Sequence, residues 1–347
     1  MRIAQVAPLN ESVPPHLYGG TERVVSYLTE EMVRQGHEVT LFASGDSQTA
    51  ARLVAGSPRA LWRDQQIRET LPHHVRLMEL VFRDRDRFDI LHFHCDFLHF
   101  PILRRYSCPS VTTLHGLVHP PDLEPLLREF SEMPLVSISD SQRKPLPWAN
   151  WQATVYHGLP ASLFSFHEQP DDYWAFLGRI SPDKGIDKAI AIALASGKKL
   201  KVAAKIYPED QVYYHEIIAP MMAEAGSQVE FVGEVGGPAK EAFLGRAQGV
   251  LFPIDWPEPF GLVMIESMAS GTPVVAFRRG SVPEVMTEGV TGFVVDNVAE
   301  AIAAVARVSG LDRRACRAAF EARFDAAIMV RNYLDLYDRL VAEHERG

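Results

Sequence analysis

The chain is short of cysteine. Its 347 residues hold three, Cys95, Cys108 and Cys316, an odd number with no Cys-x-x-Cys spacing. That excludes a disulfide framework and suits buried thiols in a reducing cytoplasm. No apolar run approaches the roughly 18 residues that a membrane-spanning helix needs, although peripheral membrane contact stays open. The first residues, MRIAQVAPLNE, hold only a short apolar stretch broken by Gln5, so they read as a strand and not as a signal peptide. Positive charge is also in deficit. Lys and Arg number 35 against 44 Asp and Glu, and both halves of the chain are acidic, which argues against a nucleic-acid partner. The few basic clusters, Arg83, Arg85 and Arg87 among Asp84 and Asp86, and Arg104 beside Arg105, suit solvated helix ends. Neither half opens with Gly-x-Gly-x-x-Gly after its first strand, which disfavours an NAD-dependent dehydrogenase. Low-complexity tracts and short repeats are missing as well.

What is present is the composition of a globular protein, 47% hydrophobic and 23% charged, with length for two domains. Short β-branched runs alternate with amphipathic stretches, the pattern of parallel sheets covered by helices. IAQVA, HEVTLFAS, DILHFH, SVTTLH and PLVSIS read as strands, and ERVVSYLTEEMVRQG as a helix stopped at Gly36. The segment from 158 to 171, rich in Pro and aromatics, reads as a connection. The pattern then restarts: YWAFLG, KLKVAAKI, QVEFVG, GVLFPI, TPVVAF and GFVVD are strands with helices between. The expectation is an α/β chain of two doubly wound Rossmann-like domains, 1–158 and 171–325. A final helix over 326–347 would carry Ile328, Leu334, Tyr337 and Leu340 on one side and pack back toward the first domain. Ligands of open α/β sheets bind beyond the carboxyl ends of the strands, so the crevice between two such domains is the expected site.

Three segments carry chemistry. In EPFGLVMIE, Pro257 and Pro259 disfavour helix before Phe260, so a helix should begin near Gly261. The amides of Gly261, Leu262 and Val263 at its start would form an anion site. Glu258 lies just before that start and Glu266 roughly 7 Å up the axis. The spacing suits one carboxylate on sugar hydroxyls and one on a ribose, with a diphosphate between. In FLGRISPDKGID a strand delivers Arg179 and a tight loop carries Lys184 to a helix start. Cations there are disfavoured unless an anion neutralises them, and a diphosphate is such an anion. In YGGTERVV, Gly19 and Gly20 allow backbone to approach a ligand, and Thr21 suits an N-cap. Ordinary turns, loops and helices are the rival reading of each segment when it stands alone, and the two glycines of YGGTERVV are the weakest of the three signals.

Other candidates are weaker. HFHCD would place His92, His94 and Asp96 on one face of an extended strand, but no fourth metal ligand is signalled. Asp84-Arg85-Asp86 is formally Asp-x-Asp, yet it sits in a charge-dense run with no supporting motif. Ser139 reads as a helix N-cap.

The Glu258-to-Glu266 spacing with its internal Phe260-Gly261 resembles the signature of the retaining glycosyltransferases of family four, which have the two-domain GT-B fold. GTPVVAF, GSVPEVM and GVTGFVV resemble the family's flanking segments in the same order. The resemblance implies a metal-independent hexosyltransferase without a cofactor, whose co-substrate is a nucleotide-diphosphate sugar, with UDP favoured over GDP. It assigns Arg179 and Lys184 to the donor diphosphate, Glu258 to sugar hydroxyls, Glu266 to the ribose, and Gly19 and Gly20 to a loop over the donor. It also places His115 near the sugar's reacting centre. The acceptor, whether sugar, lipid or small molecule, is not implied, because the resemblance is weakest over 50–88 and 117–132. Where the family has Asn-Gly entering the linker, this chain has His157-Gly158. A non-catalytic nucleotide-sugar sensor and a same-fold epimerase are the alternative readings. A phosphorylase of this fold would need a pyridoxal lysine and a longer chain.

Overall fold

The computed structural model describes residues 1–17 and 19–346; Tyr18, in the YGGTERVV segment, lies outside them. Two compact units result, Met1–Gly158 with Ala326–Gly347, and Leu159–Asp325. Each is a parallel sheet with helices packed on it.

In the first unit seven strands are ordered β3-β2-β1-β4-β5-β6-β7. They are β1 (Arg2–Val6), β2 (Glu38–Ser44), β3 (Arg52–Ser57), β4 (Ile90–Phe93), β5 (Ser110–Thr113), β6 (Leu135–Ser137) and β7 (Trp151–Thr154). The central strands are buried on both faces, as a helix-covered parallel sheet requires, so they read as near-continuous apolar runs. β3 and β7 were not expected. Both are edge strands, where one flank lacks a neighbour and the apolar signal is correspondingly weak.

The second unit has six parallel strands ordered β10-β9-β8-β11-β12-β13. These are β8 (Trp174–Arg179), β9 (Leu200–Lys205), β10 (Val229–Gly233), β11 (Val250–Phe252), β12 (Val274–Phe277) and β13 (Gly292–Val295). In each sheet the strand order reverses once, between β1 and β4 and between β8 and β11. Those reversals are the topological switch points, where open α/β sheets bind ligands beyond the strand ends.

Two features depart from expectation. Residues 159–171 belong to the second unit and do not form a separate connection. Arg317 donates to the carbonyls of Ala161, Phe164 and Ala269, and Arg313 donates to that of His167, while the His167 amide donates to the Ser270 carbonyl. Two guanidinium forks thus hold carbonyls of this segment and of the last turn of the helix Leu262–Ala269. The tail helix Ala326–Arg346 buries Met329, Val330, Tyr333, Leu336 and Tyr337 within the first unit. Of the residues expected on its inner face only Tyr337 is fully buried; Ile328, Leu334 and Leu340 flank the stripe.

Replacing Arg317 tests the first feature. Arg317→Ala should cost about 3 kcal/mol, since hydrogen bonds to a charged group are lost and buried carbonyls are orphaned. Arg317→Lys should recover little of it, because a point charge cannot reproduce the fork. Thermal melting and limited proteolysis within 159–171 read the outcome; a wild-type melting temperature in both variants contradicts it.

Candidate functional site

In the second unit both strands at the switch point end in loops that carry the expected residues. β8 ends at Arg179, and a 3-10 turn over Pro182–Lys184 follows. β11 ends at Phe252, and its loop runs through Trp256 and Glu258 to the helix Leu262–Ala269. The structure brings Lys184 and Glu258 together. Lys184 Nζ lies 2.9 Å from Glu258 Oε2, and the Trp256 indole N–H donates to the same oxygen at 2.8 Å. The ammonium also sits 4.3 Å from the centroid of the Trp256 ring. Glu258 is buried, so its carboxylate requires these partners. Trp256 carries no family assignment; its place two residues before Glu258 was the only signal.

Backbone packing fixes this pair. A Cβ on Gly280 would stand 2.2 Å from the Glu258 carbonyl oxygen, and one on Gly185 would stand 2.1 Å from that of Pro253. Only glycine admits such approaches, and both positions have positive φ. The Ser281 amide and hydroxyl donate to the carbonyls of Glu258 and Phe260, each at 2.9 Å. GSVPEVM is therefore the clamp on the Glu258 loop.

The remaining assigned residues fall out unevenly. Gly261, left-handed at φ 80°, is the N-cap of Leu262–Ala269, so the amides of Leu262 and Val263 lie in the first turn without intrahelical acceptors. The Phe260 side chain is buried and packs edge-on to Phe324, with centroids 6.1 Å apart, so it faces the core. Arg179 Nη2 donates to Asp210 at 3.0 Å and to Glu209 at 3.1 Å, and its Nε donates to Asp210. The Asp210 contact raises its already high pKa, so its charge is permanent. Glu266 is buried and forms an ion pair with Lys240, itself buried on the helix Gly237–Gly245. Lys240 was missed because a lone lysine in GPAKEAF reads as a solvated helix residue.

In the first unit the switch-point strands lead to a chain of buried polar groups. His115 Nε2 and His94 Nδ1 are 2.8 Å apart, and His94 Nε2 lies 2.7 Å from Gln5 Oε1. Gln5 Nε2 donates to the Tyr337 hydroxyl at 3.2 Å, which lies 2.5 Å from His92 Nδ1. His92 Nε2 is 2.7 Å from the Thr113 hydroxyl, which meets Tyr333 at 2.9 Å. Both ring nitrogens of His92 and of His94 are thus engaged within the unit. The face expected to include Asp96 does not form, because β4 ends at Phe93 and Asp96 turns away with φ 53°. Among the described residues no group of three or more His, Cys, Asp or Glu is arranged to hold a metal. His157, at the point where this chain departs from the family pattern, stacks on His115 with centroids 5.2 Å apart and planes at 18°. Gly19 is the N-cap of the opening helix Gly20–Arg34, and Gly20 its first residue. Thr21 therefore lies inside the helix and caps nothing, whereas Ser139 Oγ does accept from the Gln142 amide at 3.0 Å.

Burial holds His92, His94, His99, His115 and His157 below the ordinary histidine range, His99 and His115 to about 3. Burial pushes Glu22 the other way, up to about 7. The unfolded histidines take up protons below about pH 6.5 while the folded ones do not, so their stabilisation is full above that pH and falls as pH drops toward 3. Glu22 opposes them: its contribution is full below about 4.5 and lost as pH rises through 7. Five buried histidines outweigh Glu22 and Asp96, which desolvation also raises, and predict a lower melting temperature at pH 5 than at pH 7.5, with net proton uptake on unfolding. Calorimetry in buffers of different ionisation enthalpy measures that uptake; net release contradicts it.

Residues 18–175 match the model for Glycosyltransferase Family 4, and residues 164–311 match that for Glycosyl transferases group 1. The phosphatidyl-myo-inositol mannosyltransferase of Mycobacterium leprae is 25% identical, covering 97% of this chain and 96% of its own. The glycogen synthase of Mycobacterium tuberculosis is 24% identical over 80% and 79%. Among solved structures, AviGT4, a glycosyltransferase involved in avilamycin A biosynthesis, superposes with TM-score 0.75 at 26% identity, covering 98% of each chain. HepE of Anabaena, solved with UDP and glucose, gives 0.75 at 18% identity over 98% and 100%. With two α/β sheets of the GT-B fold and two adjoining family matches running from residue 18 to residue 311, the chain belongs to the family-four glycosyltransferases.

Proposed function

We propose that this glycosyltransferase moves a hexosyl group from a nucleotide-diphosphate sugar, UDP-hexose foremost, to an acceptor hydroxyl with retention of configuration and without a metal or cofactor. The observation that carries the reading is the pair of half-buried Lys184 and buried Glu258 at the switch point of the second sheet, beside the start of Leu262–Ala269. One of the three ammonium N–H groups serves Glu258, which leaves two for phosphate oxygens. The bonds Arg179 makes use Nε and Nη2, and Nη1 carries two more donors. The first-turn amides of Leu262 and Val263 add the helix dipole. The solved complexes of HepE with UDP and glucose and with UDP-glucose favour UDP as the nucleotide.

In the proposed reaction Glu258 holds sugar hydroxyls, and Glu266, paired with Lys240, meets the ribose. The C1–O bond to the diphosphate breaks while the acceptor oxygen bonds C1 on the same face, and the leaving phosphate takes the acceptor's proton. Lys184 and Arg179 stabilise the charge that grows on the leaving group. His115 and the Gly19–Gly20 turn of the first unit are assigned to the donor sugar by resemblance. Engaged ring nitrogens on His92 and His94 support a metal-free reaction. Three free cysteines, two of them buried, support a cytoplasmic setting, and among the described residues no helix is long and apolar enough to cross a membrane.

Thermal-shift measurements against UDP-, GDP- and ADP-sugars test donor binding. At 100 times Kd a ligand adds about 2.7 kcal/mol of stability. UDP-hexoses should raise the melting temperature most, and no shift with any nucleotide sugar contradicts the proposal. Lys184→Gln keeps a donor toward Glu258 and removes the charge. Donor turnover should fall at least about 100-fold with an unchanged fold, whereas wild-type turnover would sink the assignment.

A further inference from the structure

The polar chain in the first unit has a direction, and it reaches from the tail helix to His115. Its members are neutral, because burial disfavours every imidazolium in it. A neutral imidazole donates from one nitrogen and accepts at the other, so one fixed proton dictates the rest. The Gln5 amide fixes it. Its Nε2 faces the Tyr337 hydroxyl and the Met32 sulfur at 3.4 Å, while its Oε1 faces His94 Nε2. His94 must then donate from Nε2 and accept at Nδ1. His115 must donate from Nε2 to His94, which leaves His115 Nδ1 without a proton. That nitrogen is buried and makes no hydrogen bond among the described residues.

The opposite amide orientation fails on two counts. It would turn the Gln5 oxygen onto the Met32 sulfur, which has no proton to offer. It would also reverse every bond and leave an N–H on His115 buried without an acceptor, a rarer and costlier defect than an unfilled lone pair. At the other end, Tyr337 accepts from Gln5 and donates to His92 Nδ1, and His92 donates from Nε2 to Thr113. Every bond in the chain then has one donor and one acceptor.

We propose that Gln5, His94 and Tyr337 are positioning residues that lock His115 as the Nε2–H tautomer, so that it offers Nδ1 as an acceptor matched to a hydroxyl of the transferred sugar. A phosphate oxygen, itself an acceptor, is not a partner for that nitrogen. The inference deepens the donor-sugar assignment of His115 given above and rests on it for the identity of the hydroxyl; the lock itself rests on the hydrogen bonds and the burial of the chain. Its consequence is that the end of the chain, which returns to the first unit after the whole of the second, governs a proton on His115.

The test uses the full chain with ring-15N histidine and long-range proton–nitrogen correlation spectra at pH 7, with the His115 signals assigned by their loss in His115→Gln. The lock predicts a bare Nδ1 and a protonated Nε2 on His115 in the wild type. Tyr337→Phe and Gln5→Met should convert this to a mixture of tautomers. Tyr333→Phe, on the same helix but beyond Thr113, should leave it alone. Donor turnover should fall at least about tenfold in the first two variants, as expected for a misplaced imidazole proton. Inhibition by the nucleoside diphosphate alone should be unchanged, which a general loss of folding would not give. A protonated Nδ1 in the wild type, or unchanged ring signals in both variants, overturns the lock. Wild-type turnover in His115→Gln overturns the sugar assignment instead and leaves the spectroscopic result standing.

Discussion

The ion pair of half-buried Lys184 with buried Glu258 organises the candidate site of the second unit. Taking Glu258 and Lys184 out of water is costly, and their mutual attraction offsets that cost only in good geometry. The surroundings supply it: the Trp256 indole on the same oxygen, the Gly280 backbone pressed against the Glu258 peptide, and Ser281 bonded to two carbonyls of the loop. Such a pair is weak evidence for stability alone. It makes sense as a preset binding group, because a carboxylate aimed at hydroxyls and a cation aimed at phosphate are held in place beforehand. Loops from three strands, β8, β11 and β12, converge to hold two side chains.

The first unit solves the same problem with neutral groups. Its polar residues at the strand ends are histidines, a glutamine, a threonine and tyrosines, and burial keeps the imidazoles uncharged. A neutral network costs less to bury than charges do, but it works only if each donor finds an acceptor. Two tyrosines of the tail helix complete it. Packing of that helix and order in the network are therefore one property, and both weaken together as pH falls.

Much of this was legible in the sequence, for identifiable reasons. Strands at the sheet centres are buried on both faces and read as apolar runs, whereas edge strands β3 and β7 did not stand out. Glu258 and Lys184 were legible because proline and glycine punctuate their loops and because a resemblance covers those segments. Partners supplied by distant segments were not. Nothing local marks Lys240 as the counter-ion of Glu266, or Tyr337 as the partner of Gln5, 332 residues away. Local rules also failed where packing overrode them: Thr21 lost the cap position to Gly19, and Phe260 went into the core. The pairing of His157 with His115 marks a departure from the family pattern that sequence alone read as a local turn.

The central claim is that these groups break a sugar–phosphate bond and do more than bind the nucleotide sugar. Phosphorus NMR for UDP, with proton NMR for the hexose anomers, of the full chain incubated with saturating UDP-hexose and no acceptor tests it most directly. The account predicts slow growth of UDP above the uncatalysed rate, with the released hexose first formed in the donor's anomeric configuration. A donor that saturates the protein and stays intact would contradict it.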